Sequence, residues 1–210
     1  MSALEDLIYT SVEEKILAGD FRPGEPLTEA RISEVTGASR TPVREALHRL
    51  ERDGLVEMRQ NRTAIVVGIT RADLADIYEL RRRLEGLASR RAAETADEAD
   101  VARLFEIVEM QEFFLSRGAE RQKELDSEFH TAVYNMAKSR IITSTLSRLH
   151  RQTGFFRRRS LFAEGRAKES VAEHRAICRA IAEGNGEEAE RLTVAHIENA
   201  YLNLLKVLED

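Results

Sequence analysis

Ser39-Arg40-Thr41-Pro42-Val43-Arg44-Glu45-Ala46-Leu47-His48-Arg49-Leu50-Glu51-Arg52-Asp53-Gly54 is the stretch on which the reading of the fold turns. Ser39 can cap a helix whose first turn tolerates Pro42, since the amide proton that proline lacks has no partner there in any helix, and Gly54 marks its end. Val43, Leu47 and Leu50 recur at helical spacing, while Arg40 and Arg44 stand four apart on a different face. One helix thus combines a stripe for burial with two long cationic side chains near its start. By periodicity alone, those arginines are as readily surface ion-pair partners as readers of a ligand.

Upstream, Leu4, Leu7, Ile8, Val12, Ile16 and Leu17 predict an amphipathic helix over 3–18, with Gly19 as its stop. Arg22-Pro23-Gly24-Glu25-Pro26 then breaks the chain, because two prolines fix φ and remove amide donors. Thr28 can cap a second, short helix that ends near Gly37. Downstream of Gly54, Leu55-Val56-Glu57-Met58-Arg59 and Ala64-Ile65-Val66-Val67 flank the polar turn Gln60-Asn61-Arg62-Thr63 and read as a hairpin. Three helices and a hairpin make a winged helix-turn-helix over residues 1–70.

From Thr70, a candidate N-cap, residues 71–210 contain no proline and little strand signal. Thr95-Ala96-Asp97-Glu98 reads as a capping box; Gly118, Ser139 and Gly165 mark later breaks, and Gly184-Asn185-Gly186 forces a turn. The fold expected overall is mainly α, with an all-α antiparallel bundle of six to seven helices as the second domain.

The chain has 210 residues, 42% of them hydrophobic and 33% charged, as expected of a folded protein. No run approaches the ~20 apolar residues needed to cross a bilayer, so no membrane partner is expected. Met1-Ser2-Ala3-Leu4-Glu5-Asp6 lacks the basic and apolar regions of a signal peptide, which points to the cytoplasm. Cys178 is the single cysteine, so an internal disulfide framework and CxxC motifs are excluded and any metal would need histidine and carboxylate ligands. A net charge of -5 argues against bulk attraction to nucleic acid. Locally the balance tips the other way, with six arginines between Arg40 and Arg62 against four acids. If the third helix enters a major groove, Arg40, Thr41 and Arg44 occupy the turns that meet base edges, and Arg49, Arg52, Arg59 and Arg62 are placed for phosphates.

Ile16-Leu17-Ala18-Gly19, Arg22-Pro23-Gly24-Glu25-Pro26-Leu27, Ser39 to Leu47 and Leu50-Glu51-Arg52-Asp53-Gly54-Leu55-Val56 together resemble the N-terminal domain of GntR-family repressors, over residues 5 to 69. The resemblance implies a transcription factor that binds double-stranded DNA. It departs from the family pattern at Thr63, where a wing glycine is usual, and at Ala30, where many relatives carry a basic residue; the neighbouring Arg31 is taken over only as a DNA contact on a different face.

Asp126 and His130 lie four apart on one helical face, and His174 and His196 fall on the last two helices. Brought together they would suit zinc, nickel, manganese or iron, although scattered histidines are more commonly surface or core residues. Tyr78-Glu79-Leu80-Arg81 with Leu84-Glu85, then Asp126-Ser127-Glu128-Phe129-His130, Glu173-His174-Arg175-Ala176-Ile177, Ala189 and His196 are similar to the FCD domain of the FadR subfamily. That resemblance implies a divalent transition metal, zinc first, on Asp126, His130, His174 and His196, and a small carboxylate effector touching Arg81. Asn199, three residues after His196, could face the same space, and Arg157, Arg158 and Arg159 are further cationic candidates. His48 and His150 fall outside the pattern, and Cys178 reads as a core residue.

The expectation is a homodimer that binds a palindromic operator, with effector binding altering the spacing of its two reading heads. Two alternatives stand beside it. One is a metal-dependent hydrolase with Glu128 or Glu173 as base, although HExxH is absent; the other is a regulator whose metal is only structural.

Overall fold

The computed structural model describes residues 3–59, 63–117, 119–161, 163 and 165–209. The turn residues Gln60, Asn61 and Arg62 and the helix break expected at Gly118 lie outside the described residues. The chain divides into two compact units, Met1–Leu74 and Ala75–Asp210.

In the first unit α1 (Ala3–Leu17) precedes β1 (Pro26–Thr28), α2 (Glu29–Thr36), α3 (Arg40–Arg52), β2 (Val56–Arg59) and β3 (Thr63–Val66). Thr28 caps α2 by accepting the Arg31 amide, and Gly37 closes it in the left-handed region at φ 69°. Ser39 occupies the N-cap of α3 but its side chain makes no capping hydrogen bond. The apolar stripe of α3 lies where its spacing indicates: Val43, Leu47 and Leu50 are buried in one core with Ile8, Val12 and Ile16 of α1 and Ile32 of α2. Burying each such side chain contributes about 1.5–3 kcal/mol.

The sheet has one strand more than the expected hairpin. Its order is β1-β3-β2, antiparallel throughout, with Pro26 opposite Ile65 and Val56 opposite Val66. The proline-containing break therefore ends in extended backbone paired to the hairpin. Pro26 is compatible with this because β1 is an edge strand, where proline costs no ladder bond.

Seven helices follow among the described residues: α4 (Arg71–Thr95), α5 (Glu98–Phe114), α6 (Ala119–Met136), α7 (Arg140–Gln152), α8 (Gly154–Leu161), α9 (Arg166–Ala182) and α10 (Gly186–Glu209). Thr70 caps α4 through the Asp73 amide, while Asp73 accepts from the Thr70 amide and hydroxyl. The next capping box is displaced by two residues from the expected one. Asp97 and Asp100 form it, whereas Thr95 ends α4 and donates its hydroxyl to the carbonyls of Arg91 and Met136. Asp97 wins because its carboxylate is the stronger acceptor for orphan amides and stands at the actual chain reversal.

Helices α4 and α10 run antiparallel. Tyr78 meets Tyr201, Arg82 pairs with Glu198, the Ser89 hydroxyl accepts from Thr193, and Arg90 pairs with Glu190. Gly86 makes the close approach possible, since a Cβ there would lie 3.0 Å from Val194 Cγ2 and 3.2 Å from Glu190 Cγ. A core of Leu104, Ile107, Val108, Leu125, Phe129, Val133, Val171, Ile177 and Ile181 joins α5, α6 and α9. Cys178 lies in that core, its thiol pushed up to about 12 by burial.

Candidate functional site

In the first unit the residues expected at DNA have different surroundings. Arg40 and Thr41 are exposed on the first turn of α3. Arg44 is held by α2, its Nε and Nη2 donating to Glu29 at 2.6 and 3.2 Å, so its guanidinium has a fixed direction. Arg49 donates to Asp6 at 2.6 Å and lies 3.9 Å over the Tyr9 ring, tying the end of α3 to α1. Arg31 pairs with Glu25 at 2.7 Å beside Phe21. Arg62 lies outside the described residues. His48 is exposed on α3, 3.5 Å from Glu51.

In the second unit His130 of α6, His174 of α9 and His196 of α10 converge in the interior, with one ligand atom from each within 4.8 Å of the others. Their Nδ1 atoms all face acceptors. His130 Nδ1 is 2.9 Å from Glu85 Oε2, His174 Nδ1 is 3.0 Å from Gln111 Oε1, and His196 Nδ1 is 2.6 Å from Glu173 Oε2. An acceptor at Nδ1 keeps the proton there and leaves Nε2 as a bare lone pair, the tautomer a metal needs. The Nε2 atoms of His174 and His196 are 3.3 Å apart. Two nitrogens bound tetrahedrally to one zinc stand roughly 3.3–3.4 Å apart. Residues and donor set therefore fit a borderline divalent ion.

Electrostatics favour the same state. Burial holds the His174 imidazole well below its ordinary pKa, with His196 adding to the effect, and burial lowers His130 against the pull of Glu85. Both rings are neutral near pH 7. Burial opposes the charge of Asp126, yet the Arg157 guanidinium overcomes it and keeps the carboxylate ionised. Burial likewise opposes Glu173, and hydrogen bonds from His196 and Arg166 bring it down to about 2. Phe129 stacks on His174 at 3.9 Å between centroids and excludes water from that face.

Asp126 lies beside this trio without closing on it. Its Oδ1 is 3.9 Å from His174 Nε2, and its Oδ2 is taken by the guanidinium of Arg157. A cavity of about 30 Å³ adjoins the group, with Arg81, Asp126, His130, Arg157, Arg166 and His196 in its wall. Arg81 is 1% exposed and its Nε donates to Glu85 at 2.7 Å. Neither Arg81 Nη1 nor the Tyr78 hydroxyl has a partner at hydrogen-bonding geometry among the described residues. Asn199 is exposed and outside that wall, donating to Glu173 at 2.8 Å.

Sequence reasoning gave Glu85 and Gln111 no role at the site, set His150 aside, and named Arg157 only among further cationic candidates. His150 sits 5.5 Å from His130 between ring centroids, near the Tyr134 hydroxyl and Arg157. Arg157 turns inward from an arginine run that reads as a solvated face; the side chains of Arg158 and Arg159 lie outside those described. Glu85 was legible as an i,i+4 partner of Arg81. Gln111, on α5, has no local signal at all. Of the two proposed bases, Glu173 is occupied by Arg166 and His196, and Glu128 pairs with Arg103 and Arg121 at the surface.

Residues 4–66 match the family of bacterial regulatory proteins, gntR family, and residues 76–199 match the FCD domain. Among relatives, the HTH-type transcriptional regulator YdhC of Bacillus subtilis is 29% identical over 204 residues, covering 96% of this chain and 91% of that protein. The HTH-type transcriptional repressor RspR of Escherichia coli is 27% identical over 192 residues, covering 91% and 84%. In fold the chain is similar to the solved structure of E. coli McbR/YncC, with a TM-score of 0.75 at 22% identity over 98% of this chain and 99% of that one. Among the described residues no helix is long and apolar enough to cross a membrane.

Proposed function

The chain belongs to the GntR family of bacterial regulatory proteins, with an FCD domain as its C-terminal part, and from that membership we propose a cytoplasmic, homodimeric repressor whose hold on a palindromic operator is set by a small organic acid at a metal site. It is a DNA-binding transcriptional regulator and not an enzyme, in keeping with relatives named as regulators and repressors. Arg40, Thr41 and the Glu29-braced Arg44 read base edges; Arg31 and Arg62 meet phosphates, and Arg49 adds a fixed charge at the far end of α3.

One observation supports the metal above the rest. Three buried imidazoles, each tied at Nδ1, bring a ligand atom apiece within 4.8 Å of one another, and the Nε2 atoms of His174 and His196 stand 3.3 Å apart. His130, His174 and His196 would hold the ion with Asp126 as fourth ligand. Zinc is the first choice, and nickel, manganese and iron also suit nitrogen and carboxylate donors. When bound, the ion supplies a Lewis-acidic point for an effector carboxylate, and Arg81 offers its open Nη1 to the same molecule. Effector binding shifts the operator equilibrium only as far as the molecule prefers one arrangement of the dimer over the other.

The test is a gel-shift titration of the intact protein on its operator with carboxylates, before and after chelation and metal restoration. Operator affinity should change with acid and metal together. If neither alters it in any combination, the sensing half of the proposal is wrong, and a metal whose removal simply unfolds the domain would be structural.

A further inference from the structure

The charges around the cavity are already matched. Arg81 pairs with Glu85 at 2.7 Å, Arg166 with Glu173 at 2.7 Å, and Arg157 with Asp126. Three guanidiniums from α4, α9 and α8 thus face three carboxylates. A divalent ion would add two positive charges to a space shielded from water, and buried charge is costly until it is countered.

Asp126 is the carboxylate with two claims on it. One oxygen lies 3.9 Å from His174 Nε2 and the other is held by Arg157. If the ion recruits Asp126, Arg157 shares its counter-charge and becomes short of an anion. Arg81 Nη1 is open already. Beyond the ion itself, the cavity therefore has a second place for negative charge.

We propose that the ligand of this cavity is a short dianion of the dicarboxylate class, with one acid group on the ion and the other on Arg157 and Arg81 Nη1. The inference rests on the metal-and-effector reading above and narrows it. A monocarboxylate of the same length would leave one charge uncompensated and the Arg157 site unfilled. The space of about 30 Å³ holds on the order of one water, so the chain between the acid groups is short and a wall must yield. Helix α8 forms part of that wall, bringing Arg157, Ser160 and Leu161 to the cavity.

Calorimetric titration of the zinc-loaded full-length protein with malonate and succinate, against propionate and butyrate, tests this. The diacids should bind about 10-fold or more tightly than the length-matched monoacids, the equivalent of about 1.4 kcal/mol. Arg157→Gln should bring that ratio to roughly 3-fold or less with zinc stoichiometry unchanged, and Arg157→Lys should retain part of it. Equal binding of diacids and monoacids by the wild type overturns the inference even if Arg157→Gln fails to fold, as does a ratio that survives Arg157→Gln. A wild-type protein that takes up no zinc overturns the metal reading itself, a result distinct from zinc bound without preference.

Discussion

His174 and His196 point their Nε2 atoms at each other across 3.3 Å while Gln111 and Glu173 hold the opposite ring nitrogens. Two lone pairs at that separation repel unless a cation lies between them. The cost of holding them there is borne by the tethers, so the tethers should matter to metal affinity nearly as much as the ligands.

Gln111→Leu removes the acceptor of the His174 Nδ1 proton and touches no ligand atom. Zinc affinity measured by chelator competition should fall about 10- to 100-fold, the usual cost of losing an outer hydrogen bond to a metal-bound histidine. An unchanged affinity would mean that packing against Phe129 alone orients the ring.

Arg40→Ala should weaken operator binding roughly 10- to 100-fold, as for loss of a bidentate base contact, while leaving the melting temperature in place because the side chain is exposed. Glu29→Ala makes a sharper case. It removes the brace of Arg44 and should reduce operator affinity from a position behind the reading face; fluorescence anisotropy on operator and scrambled duplexes separates lost specificity from lost charge.

Gly86→Leu should destabilise the second unit by about 1–3 kcal/mol through overpacking, because even a Cβ at this position would stand 3.0 Å from Val194 Cγ2. The denaturation midpoint should fall, and Val194→Ala in the same chain should recover part of the loss.

Hydrogen bonds from the Thr70 hydroxyl and amide hold the Asp73 carboxyl below its ordinary 3.8 in the folded chain. A carboxyl lowered by folding stabilises the native state above its unfolded pKa, and that contribution is lost as pH falls toward the folded value. The difference in urea midpoint between wild type and Asp73→Asn should therefore be largest near neutrality and shrink as pH drops from about 6 to 3. A difference that stays constant with pH would assign the effect to helix geometry and not to charge.

Elements whose signals are local were legible in the sequence. Thr28, Gly37, Thr70 and Ser139 act where capping chemistry places them, and Gly184 adopts the left-handed turn expected of it. β1 was not legible, because a three-residue strand exists only through its pairing with β3, far along the chain. The site divides in the same way. Asp126 and His130 share a face by spacing, and a resemblance added His174 and His196. Gln111, His150 and the inward turn of Arg157 depend on how α5, α7 and α8 dock, which no short window of sequence encodes.

The tethers have one more consequence. Glu85 of α4 steadies His130 of α6, Gln111 of α5 steadies His174 of α9, and Glu173 of α9 steadies His196 of α10. No histidine is oriented by its own helix. Only a chain in which all five helices have docked in register can bring the three imidazoles together, so uptake of an ion, on the function proposed above, would certify that assembly is finished, and a misassembled copy would be left without the means to respond.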